Sequence, residues 1–208
     1  MASGLNEEKP VLPFSEACER NKLPILEVLR GRFANRQHVL EIGSGTGQHA
    51  VYFAAALPHV AWHPTEQLAY LSDLAQRVRL EGGTNLMAPT LLDVKQTVWP
   101  LRRADAIFTA NTLHIMSWAE VAALFRGIGD TLTAGGLFCV YGPFRYEGRY
   151  TSASNESFDL MLKERDPHSG LREIGEVSGL AAEVGLRLEA DHDLPAFNRL
   201  LVYIKEPL

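Results

Sequence analysis

The run Val39-Leu40-Glu41-Ile42-Gly43-Ser44-Gly45-Thr46-Gly47-Gln48-His49 decides the fold. It opens as a short apolar strand, passes through closely spaced glycines and enters a helical pattern over residues 47–56. A strand, a glycine turn and a helix in that order form the context a nucleotide-binding loop requires. Glycine admits positive φ and lets the backbone approach a ligand closely. The helix N-terminus beyond it offers N–H groups that have no intrahelical partner.

The spacing of the glycines selects the ligand. A dinucleotide loop reads G-x-G-x-x-G and seats a pyrophosphate. Counted from Gly43, its last glycine would fall at Gln48, but the glycine here is Gly47. The strand also carries Glu41 two residues before Gly43. A carboxylate is poorly placed beside a pyrophosphate and well placed beside an ammonium or sulfonium charge. The E-x-G-x-G-x-G pattern resembles the first motif of class I S-adenosylmethionine-dependent methyltransferases. Glu41, Gly43, Ser44, Gly45 and Gly47 are therefore the first candidate cofactor-binding residues. An NAD(P)-dependent oxidoreductase is the weaker alternative, and a non-catalytic S-adenosylmethionine-binding protein is another.

Outward from this loop, strand and helix patterns alternate. A helix is expected from Ser15, carrying Ile25, Leu26, Leu29 and Phe33 on one period, with Pro24 as a possible division. Strand patterns follow at Val60–His63, Ala88–Leu92, Ala104–Ala110 and Leu137–Tyr141, separated by helices at Gln67–Leu80 and Trp118–Leu132. Pro64 reads as a turn, because proline does not extend a central strand. Gly135-Gly136 reads as a helix breaker, and residues 142–156 as a long loop. Helical patterns return near 156–165 and 173–185. The last two strands, Arg187–Ala190 and Arg199–Lys205, are joined by a segment too short for a parallel crossover, so they pair antiparallel. The expectation is one α/β domain over residues 1–208. It has a Rossmann-like seven-stranded, mostly parallel sheet, helices on both faces and a C-terminal antiparallel hairpin. Residues 1–33 read as an N-terminal cover and 142–170 as a substrate lid.

In such a sheet the carboxyl ends of the strands converge on one crevice. Glu66 follows the second strand, where a carboxylate can accept both ribose hydroxyls. Asp93 and Val94 end the third strand. In class I methyltransferases that place binds the adenine amino group and packs on the ring. Asn111 ends the fourth strand and can contact the methionine end of the cofactor or the substrate. His114 is the candidate general base, with an unperturbed pKa near 6.5. Tyr141, at the end of the fifth strand, can orient a nucleophile through its hydroxyl. The Asn/Asp-Pro-Pro-aromatic tetrad of many nucleic-acid amino-methyltransferases is absent.

Composition narrows the partners. A formal charge of −5 argues against a phosphate-tracking surface, so no nucleic acid is expected. No apolar run reaches the roughly 18 residues a membrane span needs, and the first residues lack a secretory pattern. A cytoplasmic location is the simplest expectation. Cys18 and Cys139 are far apart and form no metal or redox pair. The histidines show no ligand spacing, and no metal is expected. The expected partner is a small-molecule substrate.

Several more specific stretches resemble one family, the domain-of-unknown-function 938 family, over roughly residues 14–205. They are Ala17-Cys18-Glu19-Arg20-Asn21-Lys22-Leu23-Pro24-Ile25-Leu26, Ser44-Gly45-Thr46-Gly47-Gln48-His49, Tyr141-Gly142-Pro143-Phe144, Asn155 with Phe158-Asp159, and Arg165-Asp166-Pro167. The resemblance implies a class I fold and S-adenosylmethionine binding. It also implies that the first helical segment folds over the cofactor, with Arg20 or Asn21 reaching the cofactor carboxylate. After Arg165-Asp166-Pro167 the family pattern leads to a Trp-Gly pair, whereas this chain has His168-Ser169-Gly170. Tyr146, Tyr150, Asn155, Arg165 and Arg172 are expected to select the small molecule from the lid.

Overall fold

A computed structural model describes residues 11–207; the first ten residues of the expected cover lie outside them. Helix α1 (Glu16–Arg32) starts at Ser15, whose hydroxyl accepts from the Cys18 amide. Pro24 lies inside α1 without dividing it. The face that carries Ile25, Leu26 and Leu29 is fully buried, and that packing outweighs the one lost helical hydrogen bond.

Strand β1 (His38–Ile42) leads into α2 (Gln48–Ala56), then β2 (Ala61–Glu66), α3 (Leu68–Glu81) and the two-residue β3 (Thr90–Leu91). β4 (Ala104–Ala110), α4 (Trp118–Thr131) and β5 (Leu132–Gly142) follow. After a smaller sheet described below, α6 (Ile174–Glu183) precedes β9 (Leu186–Leu194) and β10 (Asn198–Lys205). The seven strands lie in the order β3-β2-β1-β4-β5-β10-β9. β1 pairs in parallel with β2 and β4, and β4 with β5, whereas β10 runs antiparallel to both β5 and β9. The order reverses between β1 and β4, which opens the crevice at their carboxyl ends.

Alternate residues of the central strands face opposite layers. Val39, Trp62, Phe108 and Cys139 pack under α1 and α2, and Leu40, Ile42, Ile107 and Phe138 under α4 and α6. Burial on both faces is what makes these strands read as nearly continuous apolar runs.

Three local expectations are corrected. β2 runs on through Pro64. On this strand Trp62 and Glu66 direct their backbone groups toward the β3 side, so Pro64 does too, in the gap between residue 87 and the two-residue β3. Proline loses no ladder bond there. Gly135 and Gly136 do not separate helix from strand; β5 already starts at Leu132, and the extra residues form a bulge opposite the start of β4. Residues 142–156 are not one irregular loop. β6 (Phe144–Tyr146) and β7 (Arg149–Tyr150) make a hairpin, α5 (Ala153–Arg165) starts at Ser152, and β8 (Arg172–Glu173) completes a small sheet with β6.

No helix among the described residues is long and apolar enough to cross a membrane. Both cysteines are free thiols.

Candidate functional site

The loop between β1 and α2 is built from left-handed backbone. Gly43, Gly45 and Gly47 have φ of 69°, 54° and 76°. Gly43 and Gly47 are also closely packed: a Cβ would lie 2.8 Å from the Thr112 methyl at Gly43, and 2.8 Å from Leu74 Cδ1 at Gly47. Gly45 differs, because a Cβ there would meet nothing within 4 Å. Its backbone faces open space at the crevice.

Acids surround this loop. The Gly45 N–H donates to Glu66 Oε2 at 2.6 Å, and the Gln67 N–H to Glu66 Oε1 at 2.7 Å. Glu41 is 2% exposed and accepts from the Trp62 indole N–H at 2.9 Å. Burial lifts its pKa to about 7; the Trp62 bond and the nearby Ser44 hydroxyl pull it back, and the Glu66 charge raises it further. The Ser44 hydroxyl is buried without a hydrogen-bond partner among the described residues. Asp93 is half-buried and caps its own turn, accepting from the Lys95 amide. Val94 packs with Leu40 and Ile42 in the core.

The start of α1 is fastened over the loop. Gln48 accepts from the Ser15 N–H at 2.6 Å and donates to Glu19 at 2.7 Å. Asn21 Oδ1 lies 2.6 Å from His49 Nε2. Arg77, itself buried, donates to the Thr46 and Pro13 carbonyls. Burial lowers the His49 pKa to about 4, so its ring is neutral and the N–H donates to Asn21. Arg20 is not brought into this group: its side chain is 72% exposed and, among the described residues, pairs only with Glu16, at 3.8 Å.

On the other side of the crevice, Asn111 holds a left-handed φ of 58° and donates its N–H to the Tyr141 carbonyl. A non-glycine residue in that conformation at a strand end is a feature of functional sites. Thr109 bonds the Ile42 carbonyl and the Thr112 hydroxyl, locking β4 to β1 beneath the loop. Tyr141 is buried beside Asn21 and Asn198. Burial raises its phenol above the ordinary value, and the two amides pull it back. His114 is buried edge-on to Phe158. Burial, with the Arg172 guanidinium adding to it, lowers its pKa to about 4 rather than the unperturbed 6.5.

The expected lid residues are mostly tied inside the fold. Tyr146 donates to Asp191, Tyr150 to the fully buried Asp159, and Asn155 to Thr151 and the Phe197 carbonyl. Arg172 donates to the Leu113, Met116 and His168 carbonyls, while Arg165 stays exposed. Sequence reasoning missed Gln48, His49, Arg77 and Asn198. The signal for the first two was available, since Gln48-His49 and Glu19-Arg20-Asn21 are specific stretches that meet in space.

The sheet order, the left-handed glycine loop and the acids at the strand ends define a class I methyltransferase fold. Solved structures share it. Mitomycin 7-O-methyltransferase MmcR superposes with a TM-score of 0.77 at 18% identity, covering 89% of this chain and 54% of that one. Human N-acetylserotonin methyltransferase, solved in complex with SAM, gives 0.79 at 16% identity, covering 92% and 53%. PigF with SAH gives 0.76 at 19% identity, covering 90% and 56%. This chain thus spans little more than half the length of these proteins. Within that class, the chain belongs to the family described as "Protein of unknown function (DUF938)", whose model matches residues 12–205.

Proposed function

We propose that this protein is an S-adenosylmethionine-dependent methyltransferase acting on a small molecule. The observation that carries the reading is Gly45: left-handed, open where a side chain would stand, and hydrogen-bonded to the ribose-side acid Glu66. The residues suit the cofactor. The two Glu66 oxygens each keep capacity for a hydroxyl after accepting one backbone N–H. Asp93 and Val94 are proposed to hold the adenine, and Asn111 and Asn21 the methionine end; Arg20, exposed and paired with Glu16, is left out of the site. Glu41, buried below the loop, offers negative charge to a cationic ligand.

When bound, the cofactor supplies an activated methyl group on a sulfonium. The protein's task is then to orient the acceptor and exclude water. Tyr141 is proposed to hold the acceptor's nucleophilic atom through its hydroxyl. His114 is proposed to receive a proton, but a pKa near 4 makes it a base on the order of a hundredfold weaker than free imidazole. It therefore suits an acceptor that is readily ionised. The test is transfer of labelled methyl from the cofactor into a cell metabolite extract, with Gly45→Arg as the control. A labelled product with the wild type and none with the variant supports the reading. No product with either overturns catalysis.

A further inference from the structure

A second cavity lies at the opposite end of the strands from the glycine loop. β4 ends at the crevice, so its first residue, Ala104, stands at the far end of the sheet. α4 runs back from the crevice and brings its last turn to that same end, where β5 begins. Between the segment that enters β4 and the last turn of α4 is a cavity of about 300 Å³. That volume is at the lower end for small-molecule sites. Thr97, Trp99, Arg102, Gly127, Asp130 and Thr131 line it.

Trp99 is the unusual member. It is buried, and its indole N–H has no hydrogen-bond partner among the described residues. The other fully buried indole, that of Trp62, donates to Glu41. A buried donor left unpaired costs about 1–3 kcal/mol, and native folds keep few of them. The ring is nevertheless closely seated. Trp99 Cζ2 and Cε2, the latter bonded to Nε1, occupy the space that a Cβ on residue 127 would need. Gly127 lies inside α4, where glycine costs roughly 0.5–1 kcal/mol relative to alanine. The N–H edge of the indole therefore borders Gly127, in the wall of the cavity.

The charges around the cavity are also unspent. Arg102 and Asp130 form no ion pair among the described residues. Asp130 stands in the last turn of α4, which carries no basic residue. Its carboxylate and the carbonyl end of the helix both favour a cation. The indole N–H and the Arg102 guanidinium only donate, and a carboxylate answers both. The exposed Val98 adds an apolar surface at the rim.

We infer that this cavity is a binding site for a free α-amino acid. The carboxylate of the ligand accepts from the Trp99 N–H and Arg102, its ammonium faces Asp130, and its side chain covers Val98. The site is separate from the glycine loop and does not rest on the methyltransferase reading.

The test follows the indole N–H resonances of the whole protein by heteronuclear NMR, with Trp99→Phe used to assign the Trp99 signal. The probes are leucine, isocaproate, which lacks the ammonium, and isoamylamine, which lacks the carboxylate. Leucine should move the Trp99 resonance saturably and leave that of Trp62, which reports the glycine-loop side through Glu41, in place. Each half-ligand should bind about tenfold more weakly, the value of one lost charge-assisted contact. Arg102→Gln and Asp130→Asn, both at exposed positions, should each weaken leucine about fivefold. A Trp99 resonance that ignores leucine overturns the inference, and so does a response confined to Trp62. Equal binding of leucine and a half-ligand, or leucine affinity unchanged in both variants, overturns it as well.

Discussion

The ring of His49 and the side-chain amide of Asn21 meet at 2.6 Å, and through them α2 grips α1 across the mouth of the glycine loop. The contact is one of a row. Glu19 meets Gln48, Asn21 meets His49, and Lys22 lies 4.9 Å above the Tyr52 ring. The stretches Glu19-Arg20-Asn21-Lys22 and Gly47-Gln48-His49 are thus two halves of one clasp. His49 fixes the oxygen of Asn21 and leaves its NH2 group to face Tyr141. Asn21→Ala leaves a buried imidazole N–H without its acceptor. It should cost about 1–3 kcal/mol in chemical denaturation. A loss below a few tenths of a kcal/mol would show that the clasp does not bind the helices together.

The buried titratable groups set a pH dependence with a definite sign. His49 and His114 fall to about 4 when folded, against 6.5 when unfolded. Between those values the unfolded chain binds protons that the folded chain does not, so their effect destabilises the fold as pH drops. Glu41 works in the opposite direction. Its pKa of about 7 lies above 4.5, so its contribution is complete below pH 4.5 and is lost as pH rises through 7. Two histidines outweigh one carboxylate. Unfolding free energy should fall by about 2 kcal/mol from pH 6.5 to 4.5. His49→Gln should flatten that slope, and an unchanged slope in the variant would contradict the assignment.

Gly45 and Gly47 should respond oppositely to the same substitution. Gly47→Ala forces a Cβ onto Leu74 and Arg77 at a φ of 76°, and should cost about 3 kcal/mol of stability. Gly45→Ala meets no protein atom and should cost only about 1 kcal/mol, from its φ of 54°. Its loss should appear in S-adenosylmethionine affinity instead. Thermal melts and calorimetry on both variants separate the two effects; equal destabilisation would remove the special status of Gly45.

Much of this architecture was legible in the sequence because local signals agreed. β1 (His38–Ile42) falls on the strand expected before the glycines, β4 on Ala104–Ala110, and the closing strands pair antiparallel as their short connection requires. The errors share one cause: tertiary context supplied what the local chemistry lacked. Pro64 is tolerated because its neighbouring strand is interrupted, and Pro24 because its helix packs one face completely. At the site, glycine spacing and strand-end acids were readable from residue type. The burial that makes His114 a weak base was not, because it comes from Phe158 and α5, over forty positions along the chain. Nor could sequence show that Tyr146, Tyr150 and Arg172 would be occupied by partners within the fold.

Asp159 is the anchor that ties β7, α5 and Leu171 together. It is fully buried and takes hydrogen bonds from Tyr150, Lys163 and the Leu171 amide at 2.6–2.7 Å. Asp159→Ala should cost about 3 kcal/mol. Hydrogen exchange should then accelerate in β7 and α5 before it does in β1 and β4. Uniform acceleration across both sheets would show that the segment is not a separate unit.

Glu41 gives cofactor binding its own pH signature. A cationic ligand favours the ionised carboxylate, so binding near pH 6.5 should release a proton. Affinity should rise toward pH 8, by no more than about tenfold per pH unit. Glu41→Gln should abolish that dependence. Calorimetry in buffers of different ionisation enthalpy reads the proton directly, and equal release from wild type and variant would remove Glu41 from the site.

The central claim is the identity of the cofactor, and paired calorimetric titrations with S-adenosylmethionine and with NAD test it most directly. The account predicts saturable one-to-one binding of S-adenosylmethionine, lost in Gly45→Arg while the variant keeps its fold, and no binding of NAD. NAD binding, or a folded wild type that ignores S-adenosylmethionine, would contradict it.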